Sequence, residues 1–284
     1  MQDKNMEEQK KFQGKPAMRI LSLGAGVQSS TMALMAEEGA FGDKPDAAIF
    51  ADTGWEPKPV MEHLEWLKKQ LSYPVYVCSK GNIRDDIKNA MSDEGNRFAS
   101  APFFTKNPET NKKGMLRRQC TREYKITPIQ KQTRELMNVG YRKRFPKDKW
   151  IEMWIGISMD EIMRMKPARI WWQQNRWPLI EKKMSRDDCL KWYNNKDYRR
   201  PAKSACIGCP FHDDDFWADM KANRPEEFKD ACEIDETIRR GNKKVNDQLF
   251  IHRSCVPLKD AKFKVKDKNQ LDMFNQECEG MCGL

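Results

Sequence analysis

Apolar positions in the first third of the chain fall into short runs separated by amphipathic stretches. Arg19 to Leu23, Ala47 to Ala51 and Val75 to Val77 read as strands, and Ser29 to Glu38, Lys58 to Leu71 and Ile83 to Met91 carry apolar residues at helical spacing. Strand and helix signals that alternate in this way predict an α/β fold built on a doubly wound parallel sheet with right-handed crossovers. A long irregular stretch follows from Ser92 to Gln119, with Asn107-Pro108 and Gly114 in it; loops of that length are usually functional or mobile. Beyond it the pattern predicts a helix from Thr121 to Met137, a strand around Trp150 to Ile157, a Trp-rich segment and a helix around Ser185 to Asn194. A turn at Cys206 to Cys209 and helices near Asp213 to Asn223 and Pro225 to Arg239 complete the series. Residues 1–17 are charged, lack apolar periodicity and read as a flexible lead. The expected organisation is an α/β domain over 18–212 and a cysteine-rich, mostly helical C-terminal elaboration over 213–284, with no internal repeat and no low-complexity linker.

The junction between the first strand and the first helix carries chemistry. Gly24-Ala25-Gly26-Val27-Gln28-Ser29-Ser30-Thr31 is a small-residue turn opening a helix, where backbone amides at the helix start and three hydroxyls can face an anion. A Walker-type phosphate loop would place Lys and then Ser or Thr after its last glycine, and no lysine lies between Gly24 and Thr31. A dinucleotide fingerprint would place a third glycine where Ser29 stands. The second strand ends in Asp52-Thr53-Gly54-Trp55-Glu56, which sets Asp52 at the carboxyl edge of the sheet beside that loop. An Asp-initiated turn would account for the same residues without any ligand.

Composition narrows the setting. The chain has 284 residues, 33% of them charged, and a mean hydropathy of -0.87, and it contains neither a run of about 18 apolar residues nor a secretory leader. A soluble, cytoplasmic protein is expected. A net charge of +10 points to a polyanionic partner or to a small anionic substrate in a basic cleft. The excess gathers at Lys112, Lys113, Arg117, Arg118, Arg122 and Lys125 and again at Arg142, Lys143 and Arg144, and a solvated basic face explains such runs equally well. Trp171, Trp172 and Trp177 could stack bases or simply pack a second layer.

Nine cysteines with no export signal argue for reduced thiols or metal ligands. Cys206-Ile207-Gly208-Cys209-Pro210 is a Cys-x-x-Cys turn able to converge two thiolates on one metal. Cys278 and Cys282, in a polar tail, suit metal ligation or a mobile redox thiol, whereas Cys78, Cys189 and Cys232 read as buried core thiols. A zinc site of Cys206, Cys209, Cys278 and Cys282 is one solution. His63 reads as structural, and His212 as a donor near the cysteine turn.

Taken in order, these segments resemble the PP-loop adenine-nucleotide pyrophosphatases and their relatives the phosphoadenylyl-sulfate (PAPS) reductases. The loop consensus of small residue, Gly-Gly, any residue, Asp, Ser stands here as Gly24-Ala25-Gly26-Val27-Gln28-Ser29, with Ala25 for a glycine and Gln28 for the acid. Asp52-Thr53-Gly54 with Glu56 matches literally; Cys120-Thr121-Arg122 and Lys125-Ile126-Thr127-Pro128 match a basic segment; and Gly156-Ile157-Ser158-Met159-Asp160-Glu161-Ile162-Met163-Arg164 matches a further stretch, with Ser158 for an arginine. The resemblance implies a PP-loop, Rossmann-like fold. It implies nucleotide contacts from Ser22, Gly24, Ala25, Gly26, Gln28, Ser29, Ser30, Asp52, Thr53 and Gly54, and substrate contacts from Arg118, Arg122, Asp160 and Glu161. Catalytic roles fall to Cys120, Cys282, Lys125 and Arg164. A [4Fe-4S] cluster would be held by Cys120, Cys206, Cys209 and Cys282, with Cys278 or Cys255 as alternatives for the fourth ligand and zinc as the alternative metal.

The activity implied is sulfur transfer: ATP, with magnesium, adenylates a tRNA or DNA acceptor, and sulfur from a donor displaces AMP. Reduction of PAPS or adenylyl sulfate with a thiol reductant protein is the second expectation, because Gln28 is neutral and Met281-Cys282-Gly283-Leu284 resembles the reductase C-terminus. A non-catalytic nucleic-acid-binding module is the third.

Overall fold

The computed structural model describes residues 12, 14–90, 101–140, 142–196, 198–241 and 245–265. Its strands are β1 (Met18–Leu23), β2 (Ala47–Asp52), β3 (Val75–Ser79), β4 (Phe104–Lys106), β5 (Lys113–Met115), β6 (Ile151–Ile155), β7 (Gln173–Arg176) and β8 (Gln248–Phe250). The main sheet runs β3-β2-β1-β6-β7, with every pairing parallel. Central strands of such a sheet are covered on both faces and so read as continuous apolar runs. Leu21, Leu23, Ala48, Phe50 and Trp154 turn to one face, and Ile20, Ile49, Ala51, Met153 and Ile155 to the other.

On the first face lie helices α1 (Val27–Glu37), α2 (Lys58–Gln70) and, later in the chain, the helix Arg186–Asn195. Helix α3 (Ile83–Ala90) leaves the sheet, and α4 (Thr127–Leu136) packs on the opposite face with Val139, Phe145, Trp172 and Trp177. The Arg186–Asn195 helix is α5; its start is fixed by a reciprocal capping box between Ser185 and Asp188. Helices α6 (Asp214–Asn223) and α7 (Pro225–Ile238) follow, and together with α3 and the small antiparallel sheet β5-β4-β8 they enclose a further core around Phe103, Trp217, Ile234 and Leu249. The expected α/β class with a doubly wound parallel sheet is therefore present.

Several local expectations differ from what is observed. The stretch expected to be irregular from Ser92 to Gln119 carries β4 and β5; its residues 92–100, like Met91, lie outside the described residues. The helix expected from Thr121 begins as a π-helical turn, Thr121–Ile126, before α4. The Trp-rich segment contains β7, a polar strand paired only to β6. The expected lead is described only at residues 12 and 14–17.

The strand order reverses between β1 and β6, the place where open α/β sheets form a ligand crevice at the carboxyl ends of their strands. There the chain leaving β6 presses against the start of α1: a Cβ on Gly156 would lie 2.9 Å from both the Cα and the N of Ser29. Only a residue without a side chain fits. Gly156→Ala is expected to destabilise the fold by about 1–3 kcal/mol through this overpacking, read as a lowered melting temperature; an unchanged melting temperature would show that the two segments separate freely.

Candidate functional site

The loop after β1 is buried throughout Gly24 to Ser30. Ala25 occupies the left-handed region at φ +56, and Gly26 is extended as the residue before α1. The Gly24 amide donates to Ser29 Oγ at 3.1 Å, and the Ser204 hydroxyl donates to the Gly24 carbonyl, so the turn is held from within and from the distant cysteine-bearing segment. Gln28 is fully buried; its Nε2 donates to Ser158 Oγ at 3.4 Å and to Glu161 Oε2 at 3.3 Å, while its Oε1 has no partner among the described residues. Arg164 pairs with Glu161. The neutral residue standing where the PP-loop consensus has an acid thus faces a carboxylate that an arginine already balances, and a second carboxylate there would be repelled.

At the end of β2, Asp52 Oδ1 accepts from the Gly54 amide at 2.7 Å, so the Asp-initiated turn is real, and Gly54 takes φ +73. The next contacts extend beyond a turn. Thr53 Oγ1 lies 2.9 Å from Glu56 Oε1 and 3.2 Å from Cys206 Sγ, and Lys125 Nζ lies 3.9 Å from the same Glu56 oxygen. Glu56 and Lys125 are almost fully buried, at 1% and 7% side-chain exposure, and Glu56 Oε2 has no hydrogen-bond partner among the described residues. Burial, and then the Glu56 charge, push the Cys206 thiol well above its ordinary pKa.

Four segments thereby meet around the carboxyl ends of β2, β1 and β6: the loop and the Asp160 to Arg164 turn through Gln28, and the Asp52 and Cys120 to Lys125 segments through Glu56. The cysteine turn joins them through Ser204 and Cys206, and Arg118 lies over the Phe211 ring at 5.2 Å. Ser22 is buried within β1, whereas Arg122 is exposed. Asp160 is engaged locally, accepting from the Arg186 amide at 2.8 Å at the start of α5.

Gly208 lies within a turn closed by the Cys209 amide donating to the Cys206 carbonyl at 3.0 Å and packs against Trp55: a Cβ there would fall 2.1 Å from the Trp55 ring, and the Ile207 amide donates to the Trp55 carbonyl at 2.9 Å. The cysteine turn is thus seated on the residue after Gly54. His212 lies near that turn as expected, its Nε2 donating to the Cys206 carbonyl at 2.9 Å.

The full ligand set expected for a metal is not assembled among the described residues, where no three His, Cys, Asp or Glu side chains are grouped to hold an ion. Cys206 and Cys209 share one turn; Cys120 precedes the π-helical turn, half-buried against the core of α3, α6 and α7. Cys255, with its Sγ 3.8 Å from the Thr105 carbonyl, is buried beside β4. Cys278 and Cys282 lie outside the described residues. Cys78 and Cys189 are buried thiols as expected, and Cys232 is partly so. Of the three tryptophans, Trp172 and Trp177 are buried, and Trp171 is exposed.

Residues outside the expected set of contacts also reach this edge, among them His63, which was read as structural. His63 Nε2 sits 3.0 Å from Ser30 Oγ, and the signal for it was available, since His63 shares the buried stripe of α2 with Val60, Leu64 and Leu67. Glu56 was visible as the acid two positions after Gly54, and Ser158 as the replacement for an arginine in the Gly156 to Arg164 stretch; Ser204 carried no local signal.

The sequence matches no protein-family model and no curated protein. Among solved structures it is similar to the U34-tRNA thiolase NcsA from Methanococcus maripaludis with its [4Fe-4S] cluster, at 12% identity and a TM-score of 0.35, over 89% of this chain and 84% of that one. No helix among the described residues is long and apolar enough to cross a membrane.

Two outcomes follow from the loop and its neighbour. Ala25→Gly removes a left-handed alanine and is expected to stabilise the fold by about 0.5–1 kcal/mol in chemical denaturation; a loss of stability would mean that the Ala25 methyl contributes more packing than its backbone costs. Burial, and then the Arg199 charge, lower the His63 pKa from 6.5 to about 4. Because the folded value lies below the unfolded one, the stability tied to neutral His63 is complete above pH 6.5 and is lost as pH falls towards 4, on the order of 3 kcal/mol. His63→Gln should therefore flatten the acid limb of the stability curve over that window, and parallel curves for the two proteins would refute it.

Proposed function

We propose that the chain is an adenine-nucleotide-dependent sulfur-transfer enzyme that adenylates and then thiolates a nucleic-acid acceptor, tRNA or DNA. The observation that carries the reading is the buried group of Thr53, Glu56, Lys125 and Cys206, which sets a thiol against the strand end that follows Asp52, beside the loop of Gly24 to Ser30. A phosphate loop alone would fit many nucleotide enzymes. A thiol joined by one hydroxyl to the candidate nucleotide turn fits chemistry in which activation by nucleotide and delivery of sulfur occur in one place.

In this reading the α-phosphate of ATP lies at the start of α1, where amides stabilise the charge that develops on its oxygens, and Asp52 to Gly54 hold the adenosine. Lys125 and Arg164 supply positive charge to the phosphates. An acceptor carbonyl oxygen attacks the α-phosphorus and pyrophosphate leaves. A persulfide sulfur, delivered by a donor protein onto a cysteine of this chain, then attacks the activated carbon, and AMP departs with the former carbonyl oxygen. The sulfur remains bonded to both acceptor and cysteine until a second thiol attacks the cysteine sulfur; this frees the thiolated product and leaves a protein disulfide for a thiol reductant to restore. A [4Fe-4S] cluster is commonly held by four thiolates, and the described residues gather only the Cys206 and Cys209 turn, so the fit to a cluster or to zinc is incomplete without Cys120, Cys278 or Cys282.

Gln28 favours one second reading, reduction of a sulfonucleotide, since a neutral side chain at that position places no negative charge beside a sulfate. Protein purified without oxygen and incubated with ATP and tRNA or DNA is expected to release AMP and pyrophosphate in step with sulfur appearing in the acceptor. Sulfite from PAPS with no ATP turnover would replace this reading with the second; tight nucleic-acid binding with neither nucleotide consumed would overturn both. Lys125→Met is expected to lower kcat/KM for ATP by about two orders of magnitude, the usual effect of removing one electrostatic group aimed at developing charge, and a change of less than threefold would remove Lys125 from the site.

A further inference from the structure

The connection from β6 to β7 leaves the candidate site at Glu161 and ends at Trp171, the residue before Trp172, whose carbonyl accepts from the Ile151 amide at the start of β6. In a parallel pair this places Trp171 at the amino edge of the sheet, opposite the edge occupied by Gln28 and Glu161. The separation is the height of β6, five residues or about 16 Å. The connection therefore climbs the full face of the sheet, and along it stand Arg164, Lys166 and Arg169, with Met163 at 89% exposure beside them. Its apolar side is anchored: Met165 and Ile170 pack into the core that contains Phe145 and Trp172, and the Lys166 carbonyl accepts from Asn175 Nδ2 at 2.9 Å.

A second basic segment meets the lower end of this track. Arg142, Lys143 and Arg144 are exposed and lead into Phe145, whose ring stacks on Trp172 at 4.6 Å and meets Trp171 edge-on at 6.2 Å. Arg134 fixes that turn by donating to the carbonyls of Gly140 and Lys143. The backbone of both basic segments is thus set in place beside an indole that is 46% exposed. A solvated basic face explains the charges but not a half-exposed tryptophan held among them.

We propose that Trp171 is a stacking platform for a single-stranded polynucleotide, whose backbone runs along Arg142 to Arg144 and up past the exposed Arg169 and Lys166 towards the sheet edge. An indole stacks on any base, while guanidinium and ammonium groups neutralise phosphates without reading sequence. Charge and an aromatic face together favour a polynucleotide over an acidic protein, which has no planar groups repeated at each charge. The surface rests on the sulfur-transfer reading only for the purpose of the bound strand.

The test uses the full chain and fluorescein-labelled 15-nucleotide oligo(U) and oligo(dT), with a 15-base-pair duplex as comparator, read by fluorescence anisotropy. Trp171→Ala is expected to weaken single-strand binding tenfold or more while Trp171→Phe stays within about threefold, and Arg144→Ala is expected to reduce the salt slope by about one. Tighter binding of one oligonucleotide assigns the strand as RNA or DNA, and equal binding assigns the shared backbone chemistry; both support the proposal. A Trp171→Ala change of less than twofold, or equal loss by Trp171→Phe, would overturn it, as would competition by polyglutamate as effective as by unlabelled oligonucleotide. Circular dichroism of each variant separates misfolding from lost contact, and Trp171→Leu, which keeps an apolar side chain but no ring, repeats the test if Trp171→Ala misfolds. ATP turnover by the wild-type chain is measured in parallel: normal oligonucleotide results without turnover would remove the sulfur-transfer reading and leave this surface standing.

Discussion

The ion pair of Glu56 and Lys125 is the constraint on which the candidate site depends. Taking a carboxylate and an ammonium out of water costs several kcal/mol for each, and their attraction offsets this only when geometry and hydrogen bonds are good. Here the separation is 3.9 Å and one carboxylate oxygen has no partner among the described residues. Such a pair is a poor choice for stability alone. What it does is join three segments far apart in sequence: the turn after β2, the π-helical turn before α4 and, through Thr53, the cysteine turn. With one acceptor still unsatisfied, the group is better matched to a site completed by a ligand than to a finished core.

Gln28 shows the same economy of charge on the other side of the loop. Its amide joins Ser158 and Glu161, so the fully buried start of α1 carries no charge of its own and the nearby carboxylate is balanced by Arg164. The two sides of the loop are therefore built differently. One is a closed network centred on an amide, and the other is a charged cluster containing a thiol.

The first half of the sheet was legible because β1 and β2 are covered on both faces and bounded by glycines and prolines, which leaves short apolar runs between clear stops. The strands that escaped notice lack that signal. Gln173-Gln174-Asn175-Arg176 is polar throughout and is a strand because β6 offers it a backbone ladder. Lys113–Met115 is exposed along its whole length and pairs with β4 alone. The π-helical turn at Thr121–Ile126 has no compositional mark. In the candidate site, residues at the carboxyl ends of strands could be placed from the sequence, since topology brings strand ends together. Ser204 could not, because it acts through one hydrogen bond to a residue more than a hundred positions away. The three tryptophans were distinguishable only in three dimensions, where the turn entering β7 buries Trp172 and leaves Trp171 exposed.

The core shared by α3 with α6, α7 and β8 bears on how the chain is made. Ile83 and Ile87 emerge from the ribosome early, whereas Trp217, Ile234 and Leu249 emerge after well over a hundred further residues. Until then the apolar face of α3 has no permanent cover, while β1, β2 and β3 can already pair. The strands that carry the candidate loop are therefore synthesised well before the cover of α3 is complete. That interval is the longest in which its apolar face is open to a chaperone.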